Sequence, residues 1–244
     1  MRVLVDLGCF PTGRHYPGIA HLLRVAALGL AEGFAGDHVV ADLPIVAIDT
    51  ETTGRDPASD RVVEVACVRW ERGEIVFRKS WLVNPGRPIP KEAFDVHGIS
   101  DDDVKDAPAF AAIVPELLEA LAGAIPLAYN AEFDRKQLLS ELGRLAAPAS
   151  PPPAFQKNAE WLDPLVWARE LQKLEKSRAL GEVAARLGIE LTQAHRATND
   201  AEAALNIFIR FQEDTRLPKT YGAFLQEQRR LARAFESERI RWRA

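Results

Sequence analysis

Asp49 and Glu51 close the stretch IVAIDTETTG (residues 45–54), a hydrophobic run that ends in two like charges two positions apart. On a strand, residues i and i+2 project from the same face, roughly 7 Å apart at the backbone. The two carboxylates therefore converge if the strand persists that far. Adjacent carboxylates repel, and one of them takes up a proton more readily unless a cation sits between them. Hard oxygen ligands of this kind suit Mg²⁺ or Mn²⁺. Taken alone, the pair fits a solvated strand end equally well, with Thr52, Thr53 and Gly54 as an ordinary turn.

Two further groups follow. In NAEFD (residues 130–134), Asn130 is placed to cap a helix and Glu132 suits the positively polarised first turn. Phe133 would pack inward and Asp134 would sit on the first turn. In HRATNDAEAAL (residues 195–205), His195 and Asp200 are five residues apart. On one continuous helix that separation leaves them about 140° apart, so they share a site only if His195 precedes the helix and Asp200 lies in its first turns. Thr198 or Asn199 is a plausible N-cap for such a start.

The elements that must position these groups can be read from periodicity. PIVAID, RVVEVACVRW and EIVFRKSWLV are strand-like, and Glu71-Arg72-Gly73 between the last two is a hairpin signal. Short links imply antiparallel neighbours. Helices are expected over 108–122, over AEFDRKQLLSELGRL, at about 164–173 and 180–187, and over TNDAEAALNIFIRFQ. IPLAYN and WLD read as two more short strands, and APASPPPAF as a proline-rich loop. The alternation of strand and helix implies crossovers and parallel pairing. The expected fold class is α/β, a mixed five-stranded sheet flanked by helices. Sites in such sheets form at the carboxyl ends of strands, where Asp49 and Asn130 both fall.

The 244 residues are enough for one full domain with extensions. The expected division is an N-terminal helical extension (1–42), a central domain (43–213) and a basic helical tail (214–244). GIAHLLRVAALGLAEGF in the first segment is apolar around most of a helical circumference, which suits burial on its own domain or in a homodimer. It is too short and too charged to span a membrane and a poor signal peptide, so a cytoplasmic location is expected. Cys9 and Cys67 lack metal-ligand spacing. The net charge of −4 gives no bulk attraction to a polyanion. The stretch 219–244 nevertheless carries seven basic and three acidic residues, a pattern that serves either phosphate contact or a solvated charged helix.

In order, Asp-x-Glu, Asn-x-x-Phe-Asp and His-x-x-x-x-Asp resemble the motifs of the DEDDh exonucleases, the family of the bacterial proofreading epsilon subunit and ribonuclease T. VHGIS (96–100) and DPLVWAR (163–169) are similar to family segments in the proper order, and the likeness covers about residues 43–213. It implies a ribonuclease H-like fold and 3′→5′ hydrolysis of single-stranded DNA or RNA ends. By motif position, Asp49, Glu51 and Asp200 would ligate two divalent cations, with Asp134 assisting through water. His195 would be the general base, and Thr52, Thr53, Arg55, His97, Asn130 and Phe133 would lie against substrate. Arg55 replaces the apolar residue that often packs on the terminal base, and Tyr129 stands where a histidine often precedes the asparagine. The chain contains no polymerase-like region, so a proofreading role calls for a separate replication or repair partner. Two rival readings are a binding module of the same fold with weak chemistry, and an enzyme of small phosphodiesters. Retention of all four acids and the histidine favours the exonuclease.

Overall fold

The first seven residues of VVEVACVRWE are all buried, and their lack of polar alternation is what a strand covered on both faces requires. In the computed structural model, which describes residues 29–146, 152, 155, 156, 159–191 and 196–243, this is the second strand of a single sheet. The strands are β1 (Ile45–Thr52), β2 (Val62–Glu71), β3 (Glu74–Leu82) and β4 (Ile125–Leu127), in the order β3-β2-β1-β4. The first three form an antiparallel meander. Its second turn is made by Arg72 and Gly73, with φ of 53° and 90°. Two successive positive φ values match the right-handed twist of the flanking strands.

β4 runs parallel to β1 but pairs only with Ile45–Ala47. The sheet has four strands, not the expected five. WLD contributes a single parallel bridge, Leu162 to Leu127. The chain cannot extend this pairing because Asp163 starts a helix and Pro164 has no N–H to donate.

Eight helices are described: α1 (Lys91–His97), α2 (Asp101–Val104), α3 (Phe110–Leu121), α4 (Ala131–Gly143), α5 (Pro164–Leu171), α6 (Leu180–Arg186), α7 (Ala197–Phe211) and α8 (Tyr221–Arg243). α7 lies across β1 and β2. It approaches closely because its sheet-facing positions include Ala197, Ala201 and Ala204, with Leu205, Ile207, Phe208 and Phe211 filling the space beyond. Neither Thr198 nor Asn199 caps it; Arg196 occupies the N-cap with no side-chain bond.

The expected N-terminal helix lies mostly outside the described residues, and 29–34 are turns and irregular chain. α8 buries Tyr221, Phe224, Leu225 and Leu231 in the same core cluster as β1. The Phe224 ring lies 4.6 Å from Trp167. Among the described residues no helix is long and apolar enough to cross a membrane.

Candidate active site

β1 outruns its neighbour. Past Ala47 there is no β4 residue to pair with, so the backbone of Thr50 faces an open edge. Asp134 fills it from the first turn of α4: its Oδ1 accepts from Thr50 N at 2.9 Å and from Thr50 Oγ1 at 2.8 Å. An acid thus replaces a strand as the hydrogen-bond partner, between the two carboxylates of the D-x-E motif. Thr50 points one way and is buried; Asp49 and Glu51 are less buried. Asp200, on the first turn of α7, completes the group. One oxygen from each of Asp49, Glu51 and Asp200 lies within 4.8 Å of the others.

This crowding has an electrostatic cost. Asp49 takes up protons far more readily than an ordinary carboxylate, first because it is enclosed and then because Asp134, Glu51, Asp200 and Glu64 surround it. Glu51 is pushed up to about 8, by burial and by Asp200, Glu64 and Asp134, with Arg196 opposing. Burial raises Asp134 to about 7 against the pull of its two bonds from Thr50. Four acids gathered at one strand end form a donor set suited to hard divalent cations.

The structure brings together Asp49, Glu51, Asp134 and Asp200. His195 lies outside the described residues; α7 begins two positions after it. Asn130 borders the site but does not cap α4 with its side chain. It adopts φ 71°, ψ 51°, a left-handed conformation that asparagine tolerates. Asp163 supplies the cap instead. Its Oδ1 accepts from Asn130 N at 3.0 Å and Leu165 N at 2.9 Å, and its Oδ2 from Ala131 N at 3.1 Å. One carboxylate therefore starts both α4 and α5. The signal was present in the sequence as aspartate before proline, the arrangement of an N-cap followed by proline at the first helical position.

Glu64 was also missed. It lies on β2 directly opposite Glu51 of β1 and is 5% exposed. A lone glutamate inside VVEVACV could have marked it.

Thr52 ends β1, and Thr53 and Arg55 lie on the loop that follows it. The Thr52 hydroxyl donates to Gly54 O at 2.5 Å and that of Thr53 to Asp60 Oδ1 at 3.2 Å. A Cβ at Gly54 would lie 2.4 Å from Asp60 Oδ2 and would displace the carboxylate that accepts from Thr53. The loop is also held from α4. Ser140 Oγ donates to Pro57 O, and Glu141 accepts Arg61 through both oxygens at 2.7 and 3.0 Å. Arg55 is exposed on this fixed loop, while Phe133 is half-buried. His97 is buried and accepts from Ile99 N at 3.0 Å through Nδ1. Burial holds its pKa below the usual imidazole value, against the Thr52 backbone and Glu64. Tyr129 donates to Arg178 O at 2.6 Å.

Residues 46–208, spanning β1 through most of α7, match the family described as Exonuclease (RNase_T). The chain belongs to this exonuclease family. Among its family relatives, DNA polymerase III PolC-type of Thermotoga maritima is 30% identical over 177 residues, covering 72% of this chain and 12% of the polymerase. The Staphylococcus aureus PolC-type polymerase is 32% identical over 174 residues, with 71% and 12% coverage. The chain thus spans about an eighth of the length of these relatives. Among solved structures, Exonuclease X in complex with 5′ overhanging duplex DNA is 26% identical with a TM-score of 0.54, covering 74% of this chain and 99% of that one. E. coli Exonuclease I with a dT13 oligonucleotide shares the fold at a TM-score of 0.60 and 20% identity, with 70% and 41% coverage. The family match joins the D-x-E end of β1, the Asp134 turn of α4 and the Asp200 turn of α7 in one exonuclease domain. The four acids of the site all fall within it.

Proposed function

We propose that the chain is a divalent-metal-dependent 3′→5′ exonuclease that removes nucleotides from single-stranded DNA ends. The observation that carries this reading is the convergence of Asp49, Glu51 and Asp200 within 4.8 Å, with Asp134 beside them. The 3′→5′ polarity is supported by the ordered DEDDh motifs. The choice of DNA, and a place beside a replicative polymerase, are supported by likeness to PolC-type polymerases.

Asp49, Glu51 and Asp200 would hold two Mg²⁺ or Mn²⁺ ions. Such ions, when bound, neutralise phosphate charge and favour attack by water on phosphorus. Asp134 fixes the end of β1 through Thr50, so that the two carboxylates of β1 keep their geometry during turnover. His195 takes the proton of the attacking water, a task suited to an imidazole that is neutral near pH 7. The water oxygen bonds to phosphorus and the bond to the neighbouring 3′ oxygen breaks. That oxygen leaves with the shortened strand and gains a proton, and a nucleoside 5′-monophosphate departs. Arg55, His97, Asn130 and Phe133 border the terminal nucleotides.

Matched single-stranded DNA and RNA labelled at the 5′ end, incubated with Mg²⁺ or Mn²⁺, test the reading. A ladder shortening from the 3′ end, absent with EDTA and absent in Asp49→Ala, is the expected result. Products that shorten from the labelled end, or a ladder undiminished in Asp49→Ala, would overturn it.

A further inference from the structure

A groove of about 970 Å³ runs between the start of α4, the segment 159–163, Val166 and Arg169 of α5, and the stretch of α8 from Gln228 to Arg239. It begins at Asn130 and Ala131, one helical turn from Asp134. Asp163 on its wall accepts from Asn130 N and Ala131 N, at the start of the helix that carries Asp134, so groove and active site adjoin. Six basic side chains line it: Arg135, Lys136, Arg169, Arg229, Arg233 and Arg239. Four acids accompany them, leaving an excess of two positive charges in a chain whose net charge is −4.

Three of the acids form ion pairs with lining residues, Lys136–Glu132, Arg229–Glu160 and Arg239–Glu236. Among the described residues Arg169 and Arg233 form no ion pair within 4 Å, although Arg169 favours the charged form of Asp163. Arg229, Arg233 and Arg239 recur along α8, and the ten positions from first to last span about 15 Å of helix. The outer wall is an addition to the family domain, since the match ends at residue 208 and α8 begins at Tyr221.

We propose that this groove binds the phosphodiester backbone of the substrate strand upstream of the nucleotide being removed. A row of cations about 15 Å long fits a ligand with repeated charges, rather than one with a single terminal carboxylate. Exposed ion pairs contribute only about 0–1 kcal/mol, so phosphates can replace Glu132 and Glu236 as partners at little cost. The proposal rests on the exonuclease reading for the identity of its ligand.

The test combines a charge-reversed pair, R169E/R233E, with R72E on the distant β2–β3 turn as a control of equal sign. In otherwise wild-type protein, R169E/R233E should raise KM for a 24-nucleotide strand about tenfold near 0.1 M salt and leave kcat within about twofold. In an Asp49→Ala background, anisotropy of the labelled strand should show the same weakening. The log–log salt slope should be shallower by about 1.4, from two lost single-strand contacts. R72E should leave all three quantities near wild type. The milder R169Q/R233Q pair should show the same slope change if charge reversal perturbs folding. Unchanged KM and slope, equal weakening by R72E, or lost binding of an acidic peptide with strand binding intact would each overturn the proposal. Cleavage by Asp49→Ala would instead overturn the active-site reading, while the anisotropy result would still decide the groove.

Discussion

α4 and α7 each deliver one aspartate to the same site, by opposite means. α7 is held by shape: alanines against the sheet, then Leu205, Ile207, Phe208 and Phe211. Half of the buried residues of α4 are polar, with Asp134, Gln137 and Glu141 at 1–3% exposure. Asp134 is bonded to Thr50, and Glu141 to Arg61 and to the backbone of Val62. Packing fixes a helix over many interchangeable contacts, whereas a few hydrogen bonds fix it at particular atoms. α7 should therefore respond to substitution mainly in stability, and α4 in both stability and turnover.

The sharpest contrast uses the acids themselves. Asp200→Ala and Asp49→Ala should each lower the rate at least about a thousandfold, equivalent to about 4 kcal/mol. Thermal unfolding of both variants should stay at or above wild type, because a crowded like charge is gone. A lowered Tm would mean that these acids hold the fold together. Phe208→Ala should cost about 3–5 kcal/mol of stability, measured by urea unfolding, while the folded fraction keeps its kcat. A specific loss of kcat would break the division between shape and bonds.

Glu141→Gln should cost about 2 kcal/mol, since it removes the charge that Arg61 grips. It should also lower kcat by loosening the loop that follows Glu51. Unchanged kcat would separate the loop from catalysis.

Asp163 gives a pH signature of about 2 kcal/mol. Burial raises it to about 6 despite three N–H donors. A carboxyl whose folded pKa exceeds its unfolded value near 4 contributes stability at low pH, and that contribution is lost as pH rises through 6. Unfolding free energy measured at pH 4 and 7 should fall by about that amount more in wild type than in Asp163→Asn. Parallel pH profiles would refute the assignment. The smallest effect belongs to Thr50→Val, which keeps the backbone bond to Asp134 and loses the hydroxyl. It should cost about 1 kcal/mol and a few-fold in kcat; no kinetic change would show that the backbone bond alone suffices.

This contrast also explains what could be read from the sequence. α7 announces itself by apolar periodicity, and the D-x-E end of β1 by two charges where a buried strand should stop. The order of motifs was enough to reach the exonuclease family. The polar face of α4 was not legible, because Asp134 and Glu141 find their partners 84 and 80 residues away. A helix with two buried carboxylates reads locally as solvent-exposed. The fifth strand was over-read for the converse reason: WLD has strand composition, but the helix start that follows leaves room for one bridge. Asp163 opens DPLVWAR, yet its double cap depends on where α4 begins in space.

The open edge of β1 also bears on how the acid site comes into being. Asp49 and Glu51 are neighbours in sequence, but Asp134 and Asp200 must be carried in by separate helices. Contacts between such distant segments form late, after loop closure has been met. A chain emerging residue by residue gains strands and hairpin first and has no complete acid site until α7 has docked. A half-made chain therefore lacks the acid cluster, which is assembled only when α7 has packed on the sheet.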